Sequence, residues 1–178
     1  MGSPQEPAEP VQRFIADAML GRLARWLRIL GYDTAYEKTI TDKALVERAV
    51  QDQRRLLTRD RRLAIRKLLR GRHTLIISDH LDEQLRQLRD ELHLPLDLWM
   101  DRGYRCAVCN QRLVVIPREE AISKVSPLVA EQHHRFMQCR CCGRVYWPGM
   151  HWANIMRQLT QLAKELPVPQ GGGAGIPR

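Results

Sequence analysis

The sequence lacks a run of apolar residues long enough to cross a bilayer, so we expect no transmembrane span and no membrane partner. Its first ten residues, MGSPQEPAEP, also lack the apolar core of a secretion signal. Cysteine is absent outside residues 106–142, and such clustering without a secretion signal favours metal ligation over disulfides. We therefore expect a cytoplasmic protein.

Acidic residues are almost absent from the stretch 54–72, where Asp60 stands alone among nine arginines and lysines. This stretch holds most of the formal net charge of +9. A local positive field of this size indicates a polyanionic partner, and RNA or DNA fits better than a membrane because no uniformly apolar face accompanies the charges. The alternative is a solvated helix face.

With 178 residues and 44% apolar residues, the chain can form one domain with a small appendage. Short, largely apolar runs predict four strands at 14–16, 33–36, 55–58 and 74–77. Between and after them, helical spacing predicts helices that include Met19 to Leu30, Asp42 to Gln53, Leu63 to Leu69 and Leu81 to Leu92. This order is typical of a three-layer α/β domain with a mainly parallel sheet.

The cysteines form two knuckles, Cys106-x-x-Cys109 and Cys139-x-x-Cys142, with the spacing that suits tetrahedral Zn²⁺. The 29 residues between the knuckles are more than a minimal ribbon needs, but the entropy of loop closure rises only slowly with length. Cys141 is an alternative to Cys142, although the following glycine favours Cys142. Three histidines, His133, His134 and His151, are also possible ligands, but with four cysteines available a structural or surface role fits each of them better.

The composition divides the chain into five parts. We expect a tail at 1–10, an α/β domain at 11–98, a zinc-binding module at 99–152, a helix at 153–166 and a Pro- and Gly-rich tail at 167–178.

Four aspartates stand at the predicted junctions between a strand and the next helix: Asp17, Asp42, Asp60 and Asp79. Parallel strands would bring all four to one edge of the sheet, where their mutual repulsion is relieved by a hard cation such as Mg²⁺ or Mn²⁺. Phosphodiester hydrolysis is the chemistry that uses such a cluster. The alternative is helix capping, in which Thr41 and Ser78 compete with the neighbouring aspartates.

Arginines border the predicted carboxylate edge. Arg22, Arg25 and Arg28 recur at every third position of the first helix and form a basic stripe. Cations beside a metal centre would hold phosphates with little base specificity. The alternative is that these arginines are ordinary solvated residues on the surface of an amphipathic helix. We assign substrate binding to five of the arginines: Arg22, Arg25, Arg59, Arg61 and Arg62.

Several contiguous motifs resemble the Mut-seven C-terminal ribonuclease family, a branch of the PIN-like nucleases. They are DAMLGRLARWLRILGYD, Asp42 at the start of a helix, and RRLLTRDRRL. The later CAVCNQRL and CGRVYWPGMHW resemble the zinc ribbon that follows the nuclease fold in that family.

The resemblance implies a PIN-like domain that cleaves RNA with Mg²⁺ or Mn²⁺ held by the acids matching Asp17, Asp42 and Asp60. Asp79 would be a fourth acid, with Asp82 as a competitor for that role. Asp33 also matches the family, but it begins a strand at the opposite edge, so we expect it to be structural.

The leading hypothesis is a metal-dependent ribonuclease whose structural zinc ribbon assists RNA binding, with the ribosome or tRNA among the candidate targets. The rival hypothesis is a non-catalytic RNA- or ribosome-binding protein that uses the same basic surface.

Overall fold

The structure, a computed structural model, describes residues 12–96 and 103–164. The predicted tails at 1–10 and 167–178, and the predicted boundary at 98–99, lie outside these residues. No helix within the described ranges is both long and apolar enough to cross a membrane.

The first described range alternates strands and helices, as the sequence predicts. The strands are β1 (Arg13–Ala16), β2 (Asp33–Tyr36), β3 (Arg55–Thr58) and β4 (His73–Leu75). The helices are α1 (Gly21–Ile29), α2 (Asp42–Gln51), α3 (Arg61–Ala64) and α4 (Leu81–Leu92), with 3₁₀ turns at Ala18–Leu20 and Lys67–Leu69.

The four strands form one parallel sheet in the order β2-β1-β3-β4, with β1 and β3 at its centre. Successive side chains of a strand point to opposite faces, and β1 shows this directly. Phe14 and Ala16 pack with α1 and α4, whereas Ile15 packs with α2 and α3. The sheet therefore lies between two helical layers, which confirms the three-layer α/β prediction.

The segment after β3 departs from its prediction. The sequence predicts one helix through Leu69, but α3 ends at Ala64 and a separate 3₁₀ turn begins at Lys67. Ile65 and Leu68 are consequently exposed, whereas Leu63 and Leu69 are buried in the core. Met19, placed on the buried face of the first helix by its spacing, is also exposed, since the chain there forms a 3₁₀ turn.

A second sheet follows residue 103 and contains three antiparallel strands, β5 (Leu113–Ile116), β6 (Phe136–Cys139) and β7 (Val145–Tyr146). The stretch between the two cysteine knuckles forms helices α5 (Arg118–Ile122) and α6 (Pro127–Gln132). A small core of Ile116, Ala121 and Phe136 joins these elements.

The last helix, α7 (Met150–Lys164), begins three residues before its predicted start at 153 and returns to the first sheet. Ile155, Leu159 and Leu162 are buried in the same core as α1 and α4. Because this core is shared, α7 contributes to the packing of the α/β domain.

The first cysteine knuckle docks on the corner between α1 and β2. The buried Arg28 donates from Nη1 to the carbonyl oxygens of Ala107 and Val108, at 3.3 and 2.7 Å. Asn110 accepts a 3.0 Å hydrogen bond from the backbone of Thr34. Arg28 is therefore not part of an exposed basic stripe, and the sequence prediction is wrong at this position.

Asp33 lies at the amino end of β2 and gathers side chains from both sheets. Its Oδ1 accepts hydrogen bonds from Arg54 at 2.6 Å and from Asn110 at 2.7 Å, and its Oδ2 lies 3.7 Å from Arg105 Nη2. Burial would raise the pKa of this carboxyl, but the hydrogen bonds and charges of these partners lower it to about 2. These contacts agree with the predicted structural role of Asp33.

Candidate functional site

Asp17 follows β1 directly and continues the central strand pair by one residue. Its backbone N–H donates a 3.0 Å hydrogen bond to the carbonyl of Leu57 in β3. The residue as a whole is only 8% exposed, although it carries a carboxylate. Pairing with β3 therefore holds this acid at the carboxyl edge of the sheet, where parallel α/β folds bind their ligands.

Thr58, the last residue of β3, joins Asp17 to Asp60. Its hydroxyl donates a 2.6 Å hydrogen bond to Asp17 Oδ2 and accepts a 3.0 Å hydrogen bond from the backbone N–H of Asp60. Both functions of the hydroxyl are used, and its side chain is buried. One buried hydroxyl thus sets the positions of two acids.

Both acids also cap a turn, as the capping alternative predicts. Asp60 Oδ1 accepts from the backbone N–H groups of Arg62 and Leu63, at 2.7 and 3.3 Å, and thereby starts α3. Asp17 Oδ1 accepts from Met19 N at 3.1 Å. A carboxylate offers about four acceptor positions, so capping leaves each acid free to bind a further group.

Asp42 and Asp79 occupy the same edge but face arginines. Thr41, and not Asp42, caps α2, and Asp42 Oδ2 lies 3.8 Å from Arg66 Nη2. Asp79 forms an ion pair with Arg59. Both acids are largely exposed, unlike Asp17.

Asp82, the predicted competitor for the role of Asp79, accepts a hydrogen bond from Gln158 of α7. Its side chain therefore takes part in the packing of α7 on α4. Ser78 does not cap α4 either, since its hydroxyl accepts from His80 N at 3.0 Å and His80 is the capping residue.

Within 12–96 and 103–164, the carboxylates do not gather into a set of three whose oxygens could share one ion. Asp17 and Asp60 are brought together through Thr58, whereas Asp42 and Asp79 are engaged by arginines. The oxygen donors have the chemistry that Mg²⁺ and Mn²⁺ prefer. A cation that used all four acids would compete with Arg59 and Arg66.

The four predicted cysteine ligands do form a compact group. The sulfur atoms of Cys106, Cys109, Cys139 and Cys142 all lie within 4.8 Å of one another, and no disulfide joins them. The Cys106–Cys142 and Cys109–Cys139 sulfur separations are 3.5 and 3.3 Å. Tetrahedral Zn²⁺ with sulfur ligands at about 2.3 Å requires separations of about 3.8 Å, so the cysteines are arranged to bind a metal ion.

The two knuckles have the same backbone design. Each ends in a residue with positive φ, Asn110 at 69° and Gly143 at 74°. The backbone N–H of each of these residues donates a 2.9 Å hydrogen bond to the carbonyl of the first cysteine of its knuckle. This turn brings the second sulfur back toward the first, and it selects Cys142, because Cys141 lies outside the group.

The Cys106 thiol is prepared for metal binding by its neighbours. Burial alone would raise its pKa, but hydrogen bonds from the Tyr146 hydroxyl and from the backbone N–H groups of Cys109 and Val108 lower the pKa to about 6. The Tyr146 oxygen lies 3.0 Å from Cys106 Sγ. The thiolate, which is the form that binds a metal, is therefore favoured near neutral pH.

The family model of the Mut7-C RNAse domain matches residues 12–159, which include the carboxyl edge and all four cysteines. The chain belongs to the Mut7-C RNase domain family. No curated protein and no solved structure matches the chain.

In this Mut7-C chain, four of the five arginines that the sequence predicts to bind substrate are exposed. Arg22 and Arg25 are exposed on α1, and Arg61 and Arg62 are exposed at the start of α3. Arg59 differs, because it is mostly buried against Asp79.

The basic stretch 54–72 is not one surface. Arg54 is buried against Asp33, and Arg55 donates to the carbonyls of His73 and Gly71 at 2.8 and 3.2 Å. These two side chains are engaged within the fold, so they do not belong to an exposed basic surface.

Two residues of the candidate sites are missing from the sequence predictions. Thr58 precedes Arg59-Asp60 in the LLTRD segment, so a hydroxyl two residues before a candidate acid is the signal that could have found it. Tyr146 lies four residues after Cys142, and nothing in that spacing indicates its contact with Cys106.

Proposed function

We propose that this chain is a metal-dependent ribonuclease that hydrolyses RNA phosphodiester bonds at the carboxyl edge of its parallel sheet. The observation that carries the proposal is that one hydroxyl anchors two acids: Thr58 donates to the Asp17 carboxylate and accepts from the backbone N–H of Asp60. The proposal is supported by membership of a family described as an RNase domain.

Asp17 and Asp60 would hold Mg²⁺ or Mn²⁺, with Asp42 and Asp79 completing the acidic edge. Such an ion lowers the pKa of bound water and neutralises charge that grows on the phosphate. The chain itself fixes Asp17 by backbone pairing with Leu57 and keeps its carboxylate in a buried position. Preorganisation of this kind spares the acid any reorientation during the reaction.

The arginines around the edge would bind the sugar-phosphate backbone. Arg61 and Arg62 follow Asp60 directly, and Arg22 lies one residue into α1. Their side chains are exposed, so they can reach phosphates on either side of the bond being cut. Contacts to phosphate carry little base specificity, so they indicate no preferred base. We propose RNA as the substrate class, in keeping with the family's description, with the ribosome or tRNA as candidate targets.

We further propose that the four cysteines hold a structural Zn²⁺. A site with four thiolate ligands is closed, so it supplies folding energy and no open position for substrate. The module around it would assist RNA binding.

A second candidate function is RNA binding without cleavage. The ion pairs of Arg59 with Asp79 and Arg66 with Asp42 favour it, because they place cations on two of the four acids. In that case the basic surface would bind RNA, and no reaction would follow.

RNA cleavage assays with added Mn²⁺ decide between these functions. Asp17→Asn and Asp60→Asn should abolish cleavage while RNA affinity stays equal or rises, since each change removes a ligand and a negative charge near phosphate. Asparagine also caps helices well, so Asp60→Asn should keep its fold.

Asp52→Asn is the matched control, because Asp52 is an acid at the opposite end of α2 and should leave cleavage unchanged. Equal cleavage by the native protein and both site variants, after removal of contaminating nuclease, would refute the site. RNA binding without any cleavage would favour the second function.

A further inference from the structure

A cleft of about 330 Å³ lies between α1 and the cysteine-bearing module. Arg25 of α1 contributes one wall. The other wall comes from the module and includes Val108, Lys124, Arg144, Tyr146 and Trp147. None of the described residues that line it is acidic, and three of them are basic.

The two arginines of the cleft are free to bind an anion. Arg25 and Arg144 are exposed, and neither side chain makes a hydrogen bond or ion pair with a residue in the described ranges. Lys124 differs, because its ammonium lies 2.9 Å from Glu120 Oε1. Two guanidinium groups on opposite walls suit successive phosphates of one strand.

The aromatic residues of the cleft are held in place from behind. The Tyr146 hydroxyl contacts Cys106 Sγ at 3.0 Å, so its ring is anchored to the cysteine cluster. Trp147 packs against the core of the small sheet, and a Cβ at Gly149 would lie only 2.8 Å from its Nε1. Fixed aromatic rings beside arginines are what proteins use to stack unpaired bases.

The cleft continues the exposed basic face of α1. Arg22 and Arg25 are three residues apart and share this face, whereas the buried Arg28 holds the backbone of the first knuckle. Arg25 lies eight residues beyond Asp17, which corresponds to about 13 Å along the 3₁₀ turn and helix. A strand that leaves the carboxyl edge along α1 would therefore reach the cleft after a short distance.

We propose that this cleft binds single-stranded RNA beside the cleavage site, with phosphates on Arg25 and Arg144 and an unpaired base stacked on Trp147. This inference rests on the proposed ribonuclease function, since it extends the path of the same RNA. Because the base must be unstacked, the cleft selects single strands over duplexes.

The test measures binding of a labelled oligouridylate of about 12 nucleotides to the full-length, zinc-loaded protein without added Mn²⁺. The double variant Arg25→Ala/Arg144→Ala should weaken binding about tenfold and lower the log–log salt slope by about 1.4. Trp147→Leu should weaken it by about fivefold or more, while Trp147→Phe should keep most of the affinity. Arg135→Ala, an exposed arginine of the same module outside the cleft, is the matched control and should bind normally.

Native affinity in the Arg25→Ala/Arg144→Ala variant, with its zinc content intact, would overturn the inference. So would equal binding of a duplex of the same length, or equal competition by polyglutamate, which would indicate an acidic protein as the occupant. If the native protein cleaves RNA while the cleft variants bind normally, only the cleft is refuted. If the native protein neither binds nor cleaves RNA, the proposed function fails as well.

Discussion

The Thr58 hydroxyl donates a 2.6 Å hydrogen bond to Asp17 Oδ2, across the two central strands of the parallel sheet. The same oxygen accepts from the backbone N–H of Asp60, so the two acids share one anchor. An aspartate carboxylate that is 8% exposed is costly to bury, and this hydrogen bond offsets part of that cost. Thr58 is therefore a positioning residue for both acids.

Replacement of Thr58 by valine keeps the shape of the side chain but leaves Asp17 Oδ2 and Asp60 N without their partner. We expect a loss of about 1–3 kcal/mol in the free energy of unfolding. Cleavage should also require more Mn²⁺ for half-maximal rate, because Asp17 is no longer oriented. Thr58→Ser keeps the hydroxyl and should restore the native Mn²⁺ dependence. A Mn²⁺ titration of cleavage by the three proteins measures this effect, and an unchanged titration in Thr58→Val would remove the positioning role.

The exposed arginines at the start of α3 should contribute to RNA binding by counterion release. Each phosphate contact adds about 0.7 to the log–log salt slope for single strands. Arg61→Gln combined with Arg62→Gln should then reduce the slope by about 1 to 1.5, similarly for unrelated RNA sequences.

Arg70→Gln combined with Arg72→Gln provides the control for this measurement, because these residues lie at the far end of the same stretch. The log–log salt slope of RNA binding by this double variant should stay close to that of the native protein. If the Arg61 and Arg62 pair also leaves the slope unchanged, the start of α3 is a solvated surface and the RNA follows α1 alone.

The cysteine geometry predicts one zinc ion per chain and different roles for two adjacent cysteines. Cys142→Ser should lose zinc and unfold the second sheet, because a core of three buried side chains needs the metal for much of its stability. Cys141→Ser should keep both, since its sulfur lies outside the cluster. Elemental analysis and circular dichroism measure the two effects, and full zinc content in Cys142→Ser would disprove the ligand set.

Asp33 should make stability depend on acid pH. Its pKa of about 2 in the folded protein lies below the value near 4 of an unfolded chain. The stability it contributes is therefore complete above about pH 4 and is lost as pH falls toward 2, and it amounts to about 2 kcal/mol. We expect Asp33→Asn to be less stable than the native protein at pH 7, and about half of that difference should be gone at pH 3, because the folded pKa lies near 2.

Denaturant unfolding at each pH gives the difference in free energy of unfolding between the two proteins. Any loss of zinc in acid affects both proteins, so it cancels from this difference. Glu47→Gln serves as the control, since Glu47 is an exposed acid in a single surface ion pair. If the loss in free energy of unfolding caused by Asp33→Asn is the same at pH 7 and pH 3, the charge of the Asp33 carboxylate does not contribute to stability.

The sequence by itself determined the order of strands and helices, the edge at which Asp17 and Asp60 lie, and the two cysteine knuckles. Each of these follows from local periodicity or from short spacings, which a chain expresses before distant parts meet. The sequence also determines that Cys142, and not Cys141, is the second cysteine of its knuckle, because Gly143 allows the positive φ that ends the turn.

Only the tertiary structure decided which charges are exposed and which acids are joined. Arg25 and Arg28 look alike in sequence, yet one is exposed and the other is buried beneath the first knuckle. The bond between Thr58 and Asp17 likewise depends on the register of β1 with β3, which joins residues about forty positions apart in the chain. Spacing cannot encode such contacts, because burial and cross-strand hydrogen bonds arise from the packing of elements that are distant in sequence.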